Sequence, residues 1–278
     1  MPKESKIFYY NGVKINYYET GSGDPLILLH GFGASSYSWN EILEPLSRKN
    51  KLILIDLKGF GFSDKPLDNK YSIADQAEII LDFIEKNDLK NLVLAGHSLG
   101  GAIALFVILK LIKMGDNPAK GLVLIDSPAY KQKLPEFTVL TKIPIINKLL
   151  FSLLPLHFQV KMVLKRCFFD DKKITEEIIE NYSKPLRLAG SYHALVETAK
   201  KLIPPDAEEI TKHYREINVP ALLIWGQYDK VIPLEIGQRL QKDIPNSKLI
   251  VIPDCGHMPL EEKPEETAKI ISDFLSKL

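Results

Sequence analysis

Residues 6–19 alternate apolar and polar side chains, and Asn11-Gly12 separates two tyrosine-rich runs within them. Asn-Gly accepts positive φ at both central positions of a two-residue turn, so the pattern predicts a β-hairpin. After it the alternation stops. Short unbroken apolar runs follow at residues 26–29, 52–55, 92–95, 122–125, 221–225 and 249–252. Strands covered on both faces, as in a parallel sheet, carry this pattern. Helical periodicity lies between the runs. Residues 72–87 open with Ser72-x-x-Asp75, which resembles a capping box, and place Ile73, Ala77, Ile80, Leu81 and Ile84 on one face. Leu99–Met114 is apolar nearly all round and is followed by Gly115, which predicts a buried helix with a glycine stop. Residues 233–243 and 264–278 read as amphipathic helices.

Strands alternating with helices imply right-handed crossovers. The expected fold class is α/β: a doubly wound, mostly parallel sheet of about eight strands, with a helical insertion. The insertion is needed because no buried-strand run occurs between Ser127 and Asp206, only helical patterns broken by Pro135, Pro144, Pro155 and Pro185. About eighty residues are too many for a loop. The expected organisation is therefore core at 1–127, a helical cap at 128–206 over the C-terminal edge of the sheet, and core again at 207–278.

Composition narrows the class. The 278 residues are 45% hydrophobic and 26% charged, with a formal net charge of +1. That supports a sizeable core and gives no global field toward nucleic acid or anionic membranes. The two cysteines, Cys167 and Cys255, are too few for a disulfide framework and read as reduced thiols. The start, Met-Pro-Lys-Glu-Ser-Lys, has no apolar run before a cleavage site, so no signal peptide and a cytoplasmic location are expected. The most apolar stretch, 143–160, is interrupted by Pro144, Asn147, Lys148, Pro155 and His157. A membrane span needs ~20 mostly apolar residues, so none is predicted.

Gly96-His97-Ser98-Leu99-Gly100 sits between a buried-strand run and the buried helix. A serine on such a sharp strand-to-helix turn is lifted clear of the sheet, and flanking glycines let the two backbones approach. A serine hydroxyl needs a base, and six histidines are available: His30, His97, His157, His193, His213 and His257. His257 follows the last strand run, where the loops of a parallel sheet gather ligands and catalysts. His97 adjoins Ser98 and is expected to point elsewhere, while His157, His193 and His213 read as solvated or structural. The base needs an acid. Asp229, beyond the strand at 221–225, gives the chain order Ser98, Asp229, His257; Asp126, at the end of the strand run at 122–125, is its rival. The loop His30-Gly31-Phe32-Gly33 is expected to supply an oxyanion donor from the Phe32 N–H, alongside that of Leu99, with His30 only shaping the turn. The segment Asp56–Asp64 lacks phosphate-loop spacing and reads as a structural turn. No metal or organic cofactor is expected, because no cluster has ligand spacing and no nucleotide loop is present.

On these residues, the His30–Gly33 loop, the 56–64 loop, the Gly96–Gly101 elbow and the Asp229 and His257 loops, the chain resembles the α/β-hydrolase superfamily over essentially its full length. It is similar to the capped serine hydrolase branch, carboxylesterase-like, which includes lactonases, C–C bond hydrolases and cofactor-free perhydrolases. Dehalogenases and many epoxide hydrolases of that fold use an aspartate where Ser98 stands. The resemblance implies a small-molecule ester as substrate; acyl transfer to another acceptor, and a non-catalytic ligand receptor, are the other readings. No nucleic-acid partner is expected, and the oligomeric state is left open. Residues 134–169 are rich in Leu, Ile, Val and Phe and predict an apolar wall above Ser98 beside Phe32. Residues 131–166 carry seven basic residues and one acid, Glu136. They read as a solvated helix face, or as a field favouring anionic substrates or lipid surfaces.

Overall fold

The Asn11-Gly12 turn forms as its sequence requires, with φ of 48° and 82°. It joins β1 (Ser5–Tyr10) to β2 (Val13–Thr20), which pair antiparallel. The computed structural model describes residues 2, 4–115, 117–131 and 154–278. Within them β3 (Asp24–Leu29), β4 (Asn50–Ile55), β5 (Leu92–His97), β6 (Ala119–Ile125), β7 (Ala221–Gly226) and β8 (Ser247–Ile252) complete one sheet in the order β1-β2-β4-β3-β5-β6-β7-β8. β2 meets β4 antiparallel, and every later neighbour is parallel. The six apolar runs are these six parallel strands.

The crossovers are helical: α1 (Leu43–Ser47), α2 (Ile73–Lys86), α3 (Leu99–Met114), α4 (Leu156–Cys167), α5 (Glu176–Leu186), α6 (Ser191–Lys200), α7 (Ala207–Lys212), α8 (Leu234–Asp243), α9 (Pro259–Glu262) and α10 (Pro264–Leu275). The capping box is real: Ser72 Oγ accepts the Asp75 N–H and Asp75 accepts the Ser72 N–H. Alternate strand residues feed two apolar layers. Ile27, Leu29, Ile53 and Ile55 pack with Phe83 of α2 and Ile103 and Val107 of α3. Leu26, Leu28, Leu52 and Leu54 pack with Trp39, Leu46 of α1 and Ile271 of α10. Burial on both faces explains why the strands read as apolar runs rather than alternation.

Among the described residues no strand lies between β6 and β7; α4, α5, α6 and α7 do. The residues between them touch the loops at the C-terminal ends of three strands. Space beside Gly33, after β3, is bounded by Leu195. Beside Gly59, after β4, it is bounded by Ala194, and beside Gly256, after β8, by Cys167. Residues 132–153, including most of the apolar and basic stretch noted in the sequence, lie outside the described residues. Of the bases that are described, Lys131, Lys161 and Lys165 each face a carboxylate, Glu208, Glu176 and Asp171. These pairs fit a solvated helix face. No helix among the described residues is long and apolar enough to cross a membrane.

The loop after β4 is built on Asp56, which is fully buried. Its Oδ1 accepts from the Ser36 N–H at 2.7 Å and the Ser36 hydroxyl at 2.6 Å. Its Oδ2 accepts from Asn16 Nδ2 at 2.9 Å and the Phe62 N–H at 2.8 Å. The 56–64 segment is the structural turn its spacing implied. Because every partner donates, Asp56→Asn turns an amide NH₂ toward N–H groups. A loss of about 2–4 kcal/mol in urea unfolding is expected; an unchanged midpoint would show that the carboxylate does not hold the loop.

Candidate active site

β5 turns into α3 at Ser98, whose backbone sits at φ 51°, ψ −121°. A non-glycine residue there is strained, by about 1–3 kcal/mol. Close approach imposes the turn. A Cβ on Gly96 would lie 2.3 Å from the Gly100 carbonyl, and one on Gly100 would lie 2.2 Å from the Leu29 oxygen. The helix start is thus wedged against both β5 and β3, and Ser98 is left 9% exposed.

The loop after β3 lies against this elbow: space beside Gly31 is bounded 3.2 Å away by the Ser98 Cβ. His30 is buried beneath it; its Nδ1 donates to the Gly31 carbonyl at 2.8 Å and its Nε2 accepts the Leu57 N–H at 3.0 Å. Burial holds its basicity down, so it stays neutral and structural. Among the described residues, neither the Phe32 N–H nor the Leu99 N–H has an acceptor. Two free amides flanking a strained serine suit a developing oxyanion.

His257 and Asp229 come from the loops after β8 and β7. Nδ1 of His257 donates to Asp229 Oδ2 at 2.7 Å, with both side chains almost wholly buried. The other oxygen of Asp229 accepts from the Val231 and Ile232 N–H groups at 2.7 and 2.9 Å, which leaves Oδ2 for the imidazole. The His257 backbone is held at both ends: its N–H donates to the Cys167 carbonyl at 2.7 Å, and its carbonyl accepts from His97 Nε2 at 2.7 Å. A carbonyl can only accept, so His97 carries its proton on Nε2. Burial pushes His97 down to about 3, keeping it neutral. Its ring lies 5.0 Å from that of His257. The Ser98 hydroxyl donates no hydrogen bond among the described residues.

Of the two acids left open by the sequence, Asp229 bonds the imidazole and Asp126 does not. Asp126 ends β6 at φ 46°; its Oδ1 accepts the Gly226 N–H at 2.9 Å and its buried Oδ2 has no partner. Burial, then the neighbouring Asp229, pushes its carboxyl well above the ordinary range. The remaining histidines are occupied elsewhere: His157 with Glu176, His193 with the Asp68 carbonyl, His213 with Glu216. Possible ligand atoms of His97, Asp126 and His257 fall within 4.8 Å of one another. The two imidazoles already spend one nitrogen each, on the His257 carbonyl and on Asp229. Both cysteines are free and buried, and burial pushes the Cys255 thiol up, away from nucleophilic thiolate. Sequence reasoning missed the His97 tie and a buried carboxylate, Glu262. The one signal for the latter was the short stretch between Pro259 and Pro264, which forms α9.

A strained serine elbow at the C-terminal edge of a mostly parallel eight-stranded sheet, with a buried His–Asp pair beside it, defines an alpha/beta hydrolase. The family model for the alpha/beta hydrolase family matches residues 26–270, and the chain belongs to that family. Its general class is hydrolase. It is 30% identical over 270 residues to an uncharacterized hydrolase, YugF, of Bacillus subtilis (strain 168), covering 96% of both chains. It is 28% identical to Lipase 1 of Psychrobacter immobilis, covering 96% of this chain and 82% of that one. It is 30% identical to the 2-hydroxy-6-oxo-6-(2'-aminophenyl)hexa-2,4-dienoic acid hydrolase of Metapseudomonas resinovorans, covering 96% of this chain and 89% of that one.

The state of Asp126 is open to test. An acid whose folded pKa is raised loses stability as pH climbs from its unfolded value toward its folded one. Asn at 126 stays neutral, keeps an acceptor for the Gly226 N–H and tolerates positive φ. Thermal melts of Asp126→Asn across a pH series should show a higher Tm than wild type above about pH 4, the gap closing below it. A lower Tm at neutral pH would mean that the carboxylate form is the one the fold requires.

Proposed function

We propose that this protein hydrolyses carboxylic esters through an acyl-enzyme on Ser98, with His257 as base, Asp229 as its orienting acid, and the Phe32 and Leu99 amides as oxyanion donors. The observation that carries the reading is the elbow: Ser98 is held at φ 51° beside two unpaired N–H groups. Backbone strain persists only where surrounding structure imposes it, and it gathers at active sites.

The steps follow from the parts. Substrate binding brings the Ser98 hydroxyl to His257, whose Nε2 takes the proton as Oγ bonds to the ester carbon. The negative charge moves to the former carbonyl oxygen, where the two amides receive it. Collapse breaks the bond to the alkoxy group, which leaves as alcohol with the proton from His257. Water then repeats the sequence on the acyl-enzyme, and the acid leaves. Asp229 keeps the Nδ1–H tautomer and stabilises the imidazolium, and its own clamp by two N–H groups fixes that geometry.

We also infer that residues 128–206 cap the site, because α4 and α6 reach the loops after β3, β4 and β8. The apolar cluster that contains Leu99, Val231 and Met258 also contains Leu164, Phe168 and Leu195 of this segment. Apolar acyl groups suit such surroundings. A second substrate class, a 6-oxo dienoic acid, is favoured by the name of the Metapseudomonas relative. There the same amides would receive a ketone oxygen.

A fluorophosphonate should label Ser98 alone, and Ser98→Ala should lose both labelling and turnover while remaining folded. His257→Ala should be about as damaging, and Asp229→Asn severe through the wrong tautomer. An adduct mapped to another residue would sink the assignment. On a p-nitrophenyl ester panel, kcat/KM should rise about fourfold per methylene from acetate to butyrate, since each CH₂ is worth ~0.8 kcal/mol. A maximum at acetate would refute the apolar pocket, and turnover of the dienoic acid alone would favour the second class.

A further inference from the structure

Glu262 ends α9, five positions after His257, and is 1% exposed. Its Oε1 accepts the Gly256 N–H at 2.8 Å. Its Oε2 accepts the Phe169 N–H at 2.8 Å and the Asp170 N–H at 3.3 Å. One buried carboxylate therefore joins the loop that carries His257 to the chain leaving α4. The nearby Lys173 ammonium goes to the Glu262 carbonyl and not to its carboxylate. Apart from the Cys255 thiol, 3.9 Å from Oε1, solvation of the charge falls to backbone N–H groups, each of which must be placed for it.

The same two segments meet in other ways. The His257 N–H donates to the Cys167 carbonyl. A Cβ on Gly256 would lie 2.4 Å from that oxygen and 2.7 Å from the Phe169 nitrogen, so only glycine fits. The Phe169 ring stacks on Tyr228, centroids 4.7 Å apart, immediately before Asp229. Glu261, the neighbour in α9, accepts from the Tyr182 hydroxyl of α5 at 2.5 Å. The backbone of His257 is thus docked on the insertion from one side and tied to His97 on the other.

We propose that Glu262 is a positioning residue: by clamping Gly256 to Phe169 and Asp170 it sets where the His257 imidazole stands. The inference rests on the reading of His257 as base. Both carboxylate oxygens face donors, so the isosteric Glu262→Gln must turn its NH₂ toward an N–H and release one side of the clamp. A side chain that merely filled space would tolerate that change.

The test compares full-length wild type with Glu262→Gln and Phe169→Ala. The latter keeps the clamp's N–H and loses only the stack of a half-exposed ring, and so shows, should the Gln variant fail to fold, whether loosening the Phe169 side of the junction reaches His257. Three quantities are measured: kcat and KM on a hydrolysed ester, the rate of fluorophosphonate labelling at Ser98, and the far-downfield proton NMR signal of the His257–Asp229 hydrogen bond. In Glu262→Gln, kcat and labelling should fall on the order of tenfold or more, as expected when a catalytic group is displaced. KM should stay within about twofold, and the downfield signal should broaden or vanish well below the melting temperature. Phe169→Ala should move the same quantities less far. A lowered Tm with unchanged signal, kcat and labelling would overturn the proposal. Should wild type neither turn over esters nor label at Ser98, the reading of the site fails, and the NMR signal alone still decides the role of Glu262.

Discussion

The C-terminal edge of this sheet depends on how near α3 comes to β5 and β3. With the Gly100 carbonyl 2.3 Å from where a side chain at Gly96 would begin, and the Leu29 oxygen 2.2 Å from where one at Gly100 would begin, neither position admits a side chain. The chain must then reverse from strand to helix within one residue, and Ser98 takes the strain. Two consequences follow without further design. The first amide of the helix, Leu99, has no upstream partner, because the residues before it are strand. The loop after β3 is drawn against the serine, which brings a second open amide, Phe32, to the same place. A strained serine and two open amides are by-products of one packing constraint.

Around that edge three buried carboxylates are matched to N–H donors, while Asp126 and Glu261 each keep one buried oxygen without a partner among the described residues. Asp56, Asp229 and Glu262 each have both oxygens occupied by donors from separate segments. A charge with several fixed donors is tolerated in the interior, and truncating one arm leaves the others unsatisfied. Asp126 has only one donor, the Gly226 N–H, and a bare second oxygen beside Asp229. Its cheapest state is the neutral acid. The two aspartates at the ends of adjacent strands β6 and β7 are thereby given opposite tasks: one holds the imidazole, the other holds the β7 backbone.

What could be read beforehand follows from how local each signal is. The hairpin, the six parallel strands, the capping box and the Gly115 stop depend on near neighbours in sequence, and they appear where the pattern put them. The elbow was legible because close approach demands glycine at set spacing from the serine. Asp229 was preferred to Asp126 on chain order alone, since each follows a buried strand, and the directions of their side chains separate the two. His97 was expected to point elsewhere than Ser98, yet its ring lies beside that of His257 and ties down the His257 carbonyl. Glu262 was illegible because its partners, apart from the Cys255 thiol, are backbone groups of Gly256, Phe169 and Asp170, and a backbone N–H leaves no mark in composition. The short helix α9 fell below the length at which periodicity can be seen.

That reliance on backbone partners also bears on how the segment between β6 and β7 meets the loop of His257. Cys167 contributes its carbonyl, and Phe169 and Asp170 their N–H groups, to the seat of His257. None of these depends on which side chain is present, apart from the need for glycine at 256. Side chains of the insertion such as Leu164, Phe168 and Leu195 are meanwhile free to shape the apolar surroundings of Leu99 and Met258. Substitutions among them change packing and volume by the usual few kcal/mol or less. They do so without removing a hydrogen bond from His257. The segment therefore holds the His257 backbone through its main chain while its side chains pack around Leu99 and Met258, so that changing one leaves the other in place.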